Sequence, residues 1–417
     1  MTILFAIRRA AVLAALASGL SACAAIERGD PVPLELAEEA RPVGLAGEAA
    51  VRIWGDRNDP EFVERMILAR AETVTRMFAD ATETPRLSYL ALSGGGQYGA
   101  FSAGALTAWS ARGDRPEFNS VSGISTGAII APFAFLGEEY DDLLRSFYTE
   151  TSTEDLLEPT IFAGLLGGPG LADTAKLRAR IDQFITPELL ARVAEEHAKG
   201  RLLVVGTTNI DLGRPVLWNM GAIAADGGPG ALDLFRDVIQ ASAAIPIAFP
   251  PVFIDVEAGG RRYDEMHVDG GATRQVNALS PQIPGFVVER MTGIEIDRDL
   301  YVLVNGAIRP PPKLVEPTAL SIGGAAIDTL WYAQTVGDLY RILAVAERDG
   351  IETHFGWIPE SFEDEPVEEF DPVFMRRLFD LGARLLENGA LWSPAPPDFA
   401  TEESVAAYLA ARGAAGR

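Results

Sequence analysis

Gly123-Ile124-Ser125-Thr126-Gly127 constrains this chain more than any other stretch. It sets Ser125 in a Gly-x-Ser-x-Gly frame, after a short apolar run and before an Ala- and Ile-rich segment. A serine on a sharp strand-to-helix turn needs glycine on both sides, because neighbouring backbone passes where a Cβ would stand. The frame predicts a strand over Phe118–Ser122, a turn, and a helix over Ser125–Leu136. The hydroxyl is then lifted off the sheet edge, in the geometry of a nucleophile.

A second strand and helix precede it. Arg86–Ser93 is an apolar run that stops on Gly94, and Gln97–Arg112 follows as an Ala-rich helix ended by Gly113-Asp114. Strand, helix, strand, helix at these lengths signals parallel βαβ units. Further strands are expected at Leu202–Thr208, Pro215–Asn219, Val252–Val256 and Tyr301–Asn305, the first two as a hairpin through Asp211-Leu212-Gly213. Residues 138–200 show no convincing strand. Asp141–Thr149, Asp173–Phe184 and Pro187–Lys199 read as helices around a Gly/Leu loop, Gly164–Gly170, and Asp233–Ala243 reads as another. Phe162, Leu165, Leu166 and Leu171 could form a lid over acyl chains or simply cap the core.

After Pro310-Pro311-Pro312 the pattern turns helical over Thr318–Arg348 and Pro372–Glu387, with the acidic run Glu360–Glu369 between them as a solvated loop. The chain divides into residues 1–22, a signal segment; 23–84, a linker and helix; 85–310, a catalytic domain; and 311–417, a helical C-terminal extension.

The first segment has its own logic. Arg8 and Arg9 precede the apolar Ala10–Leu20, and Leu20-Ser21-Ala22-Cys23 follows. That tetrapeptide resembles the lipobox of bacterial lipoproteins, which implies cleavage before Cys23 and lipidation of that residue. The apolar run is too short for a spanning helix, which takes about 20 residues. Ala24 after the cysteine implies, by the same resemblance, an outer-membrane location facing the periplasm. Cys23 is the chain's single cysteine, so no disulfide forms within one chain. The formal charge of −24 becomes more negative once Arg8 and Arg9 leave. Such a chain offers no counterion release to nucleic acid, and its membrane association must come from the lipid rather than from charge.

Ser125 needs a base and an oxyanion site. Ser93-Gly94-Gly95-Gly96-Gln97-Tyr98-Gly99 lies at a strand end and a helix start, where consecutive glycines turn their N–H groups into one concavity. Gly94-x-Gly96-x-x-Gly99 also matches a dinucleotide fingerprint, but the acid expected near Asn119–Ser122 is absent. The oxyanion function is therefore favoured.

The base is harder to choose. Of three histidines, His197 lies in a charged helix and is expected to be solvated, His267 precedes Asp269 by two residues, and His354 lies beyond the Pro-rich break. A Ser125, Asp269, His354 triad can be written, but His354 lacks flanking loop signals. Asp269-Gly270-Gly271 is a hairpin turn or a freed carboxylate; a buried carboxylate can itself serve as base.

Gly94–Gly99, Gly123–Gly127 and Asp269–Gly271, in that order, resemble the three signatures of the patatin-like phospholipase family. Ala241–Pro251 is similar to the family's helix-then-Pro segment. The resemblance covers roughly Arg86 to Ile308. It implies an α/β fold, a three-layer α/β/α sandwich around a mostly parallel sheet. It also implies a Ser125–Asp269 dyad without histidine, and an oxyanion hole at Gly94, Gly95 and Gly96. Gly99, Gly123, Gly127, Gly270 and Gly271 are the motif glycines. Many members carry Asp before the triple glycine, where this chain has Ser93. The expected activity is hydrolysis of acyl-lipid esters with no cofactor and no metal, since neither a calcium loop nor a His/Asp metal cluster is evident. The alternatives are a non-catalytic envelope lipoprotein that binds lipid or scaffolds partners, and an α/β-hydrolase using the histidine triad.

Overall fold

The computed structural model describes residues 28–47, 49–159, 170–309, 314–397 and 399. Cys23 with the signal segment, and Phe162, Leu165 and Leu166 of the expected lid, lie outside the described residues.

The early strands are β1 (Arg41–Pro42), β2 (Arg52–Trp54), β3 (Arg86–Leu92), β4 (Ser120–Ile124), β5 (Glu158–Pro159) and β6 (Ala172–Asp173). The later ones are β7 (Leu202–Asn209), β8 (Arg214–Asn219), β9 (Val252–Ala258), β10 (Arg261–Asp269), β11 (Asp297–Ala307) and β12 (Glu352–Ile358). Helices α1 (Pro60–Phe78), α2 (Gly99–Arg112), α3 (Thr126–Leu136), α4 (Asp141–Glu150), α5 (Thr153–Leu156) and α6 (Ala175–Phe184) come first. They are followed by α7 (Pro187–Ala198), α8 (Met220–Asp226), α9 (Ala231–Ser242), α10 (Gly285–Thr292), α11 (Ala319–Asp349) and α12 (Pro372–Glu387). Several helix starts are set by sequence: Asp59, Thr186 and Asp371 cap α1, α7 and α12, each with Pro in the first turn.

The centre of the main sheet is parallel, in the order β7-β4-β3-β11-β12. Antiparallel strands extend it beyond β7: β8 with β2 on one side, β10, β9 and β1 on the other. Side chains alternate across the sheet, as the strand period of two requires. Leu90, Leu92 and Leu303 face a core with α2, α3, α4, α6, α7, α9 and α12. Ala91, Leu300, Val302 and Val304 face Leu339, Ile342 and Ala346 of α11. Leu87 meets Ala71 and Val74 of α1 and Val288 of α10 on that second face. Two filled faces give the three-layer sandwich, and each fully buried Leu or Phe contributes about 1.5–3 kcal/mol.

Four details differ from the pattern in the sequence. The strand expected at Phe118–Ser122 runs over Ser120–Ile124, up to the residue before Ser125, because its register with β3 and β7 starts at Ser120 and continues with β7 to Ile124. Between 138 and 200, β5 and β6 form a two-residue antiparallel pair. The segment read as a linker is tied down: β1 and β2 pair with β9 and β8, and the Arg28 guanidinium reaches Asp211 and Asp264.

The fourth difference lies after residue 313. Its two helices form as expected, but β12 between them adds the edge strand beside β11. Helix α12 packs on α2 through Gly104 and Gly382. A Cβ at Gly104 would fall 1.9 Å from the Phe379 carbonyl oxygen, and one at Gly382 2.1 Å from that of Phe101. The region is built into the sandwich, and it buttresses the helix that follows the triple-glycine loop.

Candidate active site

β7 offers one edge to two strands in succession. Ser120–Ile124 of β4 pair with Leu202–Gly206, and then His267–Asp269 of β10 pair with Asn209–Thr207. β8 occupies the opposite edge. Ile124 therefore stands opposite Gly206 and Asp269 opposite the next residue, Thr207. The C-terminal ends of β4 and β10 meet there, and Ser125 and Asp269 become neighbours. Both are buried, at 5% and 2% exposure.

Ser125 takes φ 55° and ψ −122°, a positive φ for a residue with a side chain. Such a conformation costs on the order of 1–3 kcal/mol and persists only where surroundings over-determine it. The flanking glycines show what does so. A Cβ at Gly123 would sit 2.2 Å from the Gly127 carbonyl oxygen, and one at Gly127 would sit 2.5 Å from that of Leu92. The turn is closed from both sides, and α3 begins directly after it.

Asp269 ends β10 and caps a short turn, Gly270–Ala272, accepting the Gly271 N–H at 2.7 Å. Burial pushes its carboxyl up to about 7, while hydrogen bonds from the Ser125 side chain and the Gly271 amide pull the other way. No cation is among the groups that shift it. The result is a carboxyl group that exchanges a proton near neutral pH, beside a hydroxyl. Gly270 packs against the Gly206 carbonyl, which keeps this turn on β7.

The triple-glycine loop touches the same spot, since a Cβ at Gly94 would lie 3.3 Å from that of Ser125. Gly95 and Gly96 take φ 146° and 54°. Among the described residues neither of their N–H groups donates to the protein, whereas Gly94 N–H is taken by the Gln275 carbonyl at 3.2 Å. The free donors are thus Gly95 and Gly96, not all three glycines. Ser93 locks the loop: its hydroxyl donates to the Gly94 carbonyl at 2.6 Å and accepts the Asn305 N–H at 2.7 Å. Gly99 opens α2 against Thr126, the residue after Ser125.

The histidines lie elsewhere. His354 is in β12, level with Tyr301, Leu90 and Val121 across the sheet. That puts it three strands across and four residues back from Ser125, about 20 Å away at ordinary strand spacing and rise. Its ring stacks on Tyr301 and its Nε2 lies 3.4 Å from Asp299. The Ser125–Asp269–His354 triad is therefore not assembled. His267 is wholly buried, bonded to Thr207 and Glu265, and burial depresses its pKa. His197, read as solvated, is half-buried against Gly221, and burial lowers its pKa too.

Asp299, Glu352 and His354 do bring three metal-type ligands within 4.8 Å of one another, a trio the sequence does not single out. Asp299 already pairs with Arg86 at 2.9 Å there. The sequence also hides Gln275, which touches both Gly94 and Gly271, and the role of Ser242 within Ala241–Pro251, where its hydroxyl holds the Ser125 amide. A cavity of about 780 Å³ lined by Arg52, Trp54 and Phe62 lies under the N-terminal segment, and neither Ser125 nor Asp269 lines it.

Residues 90–281 match the family model described as patatin-like phospholipase. No curated protein matches the chain in sequence. Among solved structures, the chain is similar to VipD from Legionella pneumophila, with 14% identity and a TM-score of 0.31, covering 73% of this chain and 67% of that one. It is similar to human GIVD cytosolic phospholipase A2, with 10% identity and a TM-score of 0.27, over 68% of this chain and 51% of that one. It is also similar to full-length ExoU of the Pseudomonas aeruginosa type III secretion system, solved with SpcU, with 14% identity and a TM-score of 0.27, over 73% and 53%. The chain thus spans about half the length of the last two. Over residues 90–281 this chain is thus similar to the patatin-like phospholipase family.

Proposed function

We propose that the chain is a serine acyl hydrolase that cleaves carboxylic esters of membrane lipids, of the phospholipase A or lysophospholipase type. The observation that carries this is the meeting of β4 and β10 on one edge of β7, with a strained Ser125 beside a carboxyl group poised near pH 7. Ionised Asp269 takes the Ser125 proton as the hydroxyl oxygen attacks the acyl carbonyl. The Gly95 and Gly96 N–H groups receive the oxyanion, at the start of a helix whose dipole favours negative charge. Asp269 then hands the proton to the leaving alcohol, and in the second half-reaction takes one from water that frees the acyl group.

In this proposal Cys23 is lipidated and holds the domain at a membrane surface, in the outer membrane facing the periplasm. Among the described residues no helix is long and apolar enough to cross a membrane, so attachment through the lipid is the simplest route. The test is turnover of p-nitrophenyl butyrate by the wild type, Ser125→Ala and Asp269→Asn. Loss in both variants supports the dyad; equal rates in all three favour a lipid-binding lipoprotein without catalysis. Mass spectrometry of membranes incubated with the enzyme then identifies the acyl position and head group.

A further inference from the structure

One short turn grips the backbone of both proposed catalytic residues. Ser242 closes α9 and is fully buried. Its Oγ accepts the Ser125 N–H at 2.9 Å and donates to the Gly206 carbonyl at 2.7 Å. Two residues later the Ala244 carbonyl accepts the Asp269 N–H at 2.9 Å. Gly206 stands opposite Ile124, and its neighbour Thr207 stands opposite Asp269. A single hydroxyl thus ties the nucleophile's amide to the strand on which the two chain ends meet.

The chemistry of that position is restrictive. The Ser125 N–H is buried and needs an acceptor, which the Ser242 hydroxyl supplies. The Gly206 carbonyl needs a donor on the same side. Only a group that accepts and donates at once satisfies both, and a serine hydroxyl does so in the smallest volume. Losing it takes a hydrogen-bond partner from two buried backbone groups and removes the restraint on a strained residue.

We propose that Ser242 is a positioning residue: with the Ala244 carbonyl it fixes the Ser125 backbone against Asp269, so that the hydroxyl stays aligned for proton transfer and attack. The assignment rests on the dyad proposed above, and it acts through Ser125 without touching substrate. Misplacement of a reacting group by about 1 Å costs on the order of 10²-fold in rate.

The experiment compares kcat and KM for p-nitrophenyl butyrate in the wild type, Ser242→Ala, Ser242→Cys and Thr107→Ala, with Ser125→Ala as reference. Thr107 is another buried hydroxyl, bonded only to carbonyls of its own helix α2, and it controls for simple loss of a buried polar group. The brace requires kcat to fall about 10²-fold in Ser242→Ala with KM nearly unchanged, less in Ser242→Cys, and hardly at all in Thr107→Ala, all on protein that melts cooperatively. If Ser242→Ala fails to fold, the split between kcat and KM in Ser242→Cys decides. Wild-type kcat in folded Ser242→Ala or Ser242→Cys, beside an inactive Ser125→Ala, overturns the brace and leaves the dyad standing. Turnover that survives in Ser125→Ala overturns both.

Discussion

Glu265 and Asp269 lie on one strand, β10, both almost completely buried, yet their carboxyl groups are held in opposite states. Burial pushes each upward. At Glu265 that push is outweighed by Arg52, which pairs with it through both guanidinium nitrogens, and by His267, and the group falls to about 2. At Asp269 only a hydroxyl and one amide oppose burial, and the group rises to about 7. A buried carboxylate given a cation becomes a fixed charge that ties the N-terminal segment to the sheet. One denied a cation and set beside a serine becomes a proton acceptor at working pH. The middle of β10 holds structure together, and its end carries the proposed chemistry.

The comparison breaks most visibly through exchange of each acid for its amide. Asp269→Asn is expected to lower kcat/KM for p-nitrophenyl butyrate at pH 8 by about 10³- to 10⁴-fold. Glu265→Gln, measured on folded protein, is expected to stay within about tenfold of the wild type. A folded Glu265→Gln enzyme as dead as Asp269→Asn would erase the distinction.

Stability reverses the order. Glu265→Gln leaves Arg52 buried without its counter-charge and is expected to cost about 3–5 kcal/mol in urea unfolding. Asp269→Asn has the opposite sign at neutral pH. Because the folded pKa of Asp269 lies above the unfolded one, its contribution is greatest below pH 4. It is lost as pH rises toward about 7, so wild-type stability falls by roughly 2–4 kcal/mol over that window. Asp269→Asn lacks that decline, so its stability relative to wild type improves from pH 4 to pH 8 and then levels off. Denaturant midpoints at both pH values check this. His354→Ala, far from the junction, is expected to change kcat/KM by less than about threefold; a loss near 10⁴-fold would restore the histidine triad.

How much of this was legible in the sequence depends on range. The turn at Ser125 is local: Gly123 and Gly127 are required by backbone contacts within a few residues and with β3, so the motif announces them. The pairing with Asp269 is legible only as part of an ordered set of motifs, since the register that unites them passes through β7. Ser242 lies within the recognisable Ala241–Pro251 segment, but the role of its hydroxyl is not legible there, because its partner is 117 residues away. The edge strands β1, β2 and β12 escape for a related reason. β1 and β2 are only two and three residues long, and the burial of all three is set by partners far along the chain. The contrast between Glu265 and Asp269 is equally invisible, since Arg52 sits 213 residues before Glu265.

The most direct test of the Ser125–Asp269 dyad is the pH dependence of kcat/KM for p-nitrophenyl butyrate in His354→Ala. That variant removes one imidazole, and burial holds the other two, His197 and His267, below the ordinary histidine range. A carboxylate base at Asp269 requires one ascending limb with its midpoint near pH 7, reflecting the free enzyme. A limb near pH 4, or the disappearance of activity with His354, would contradict it.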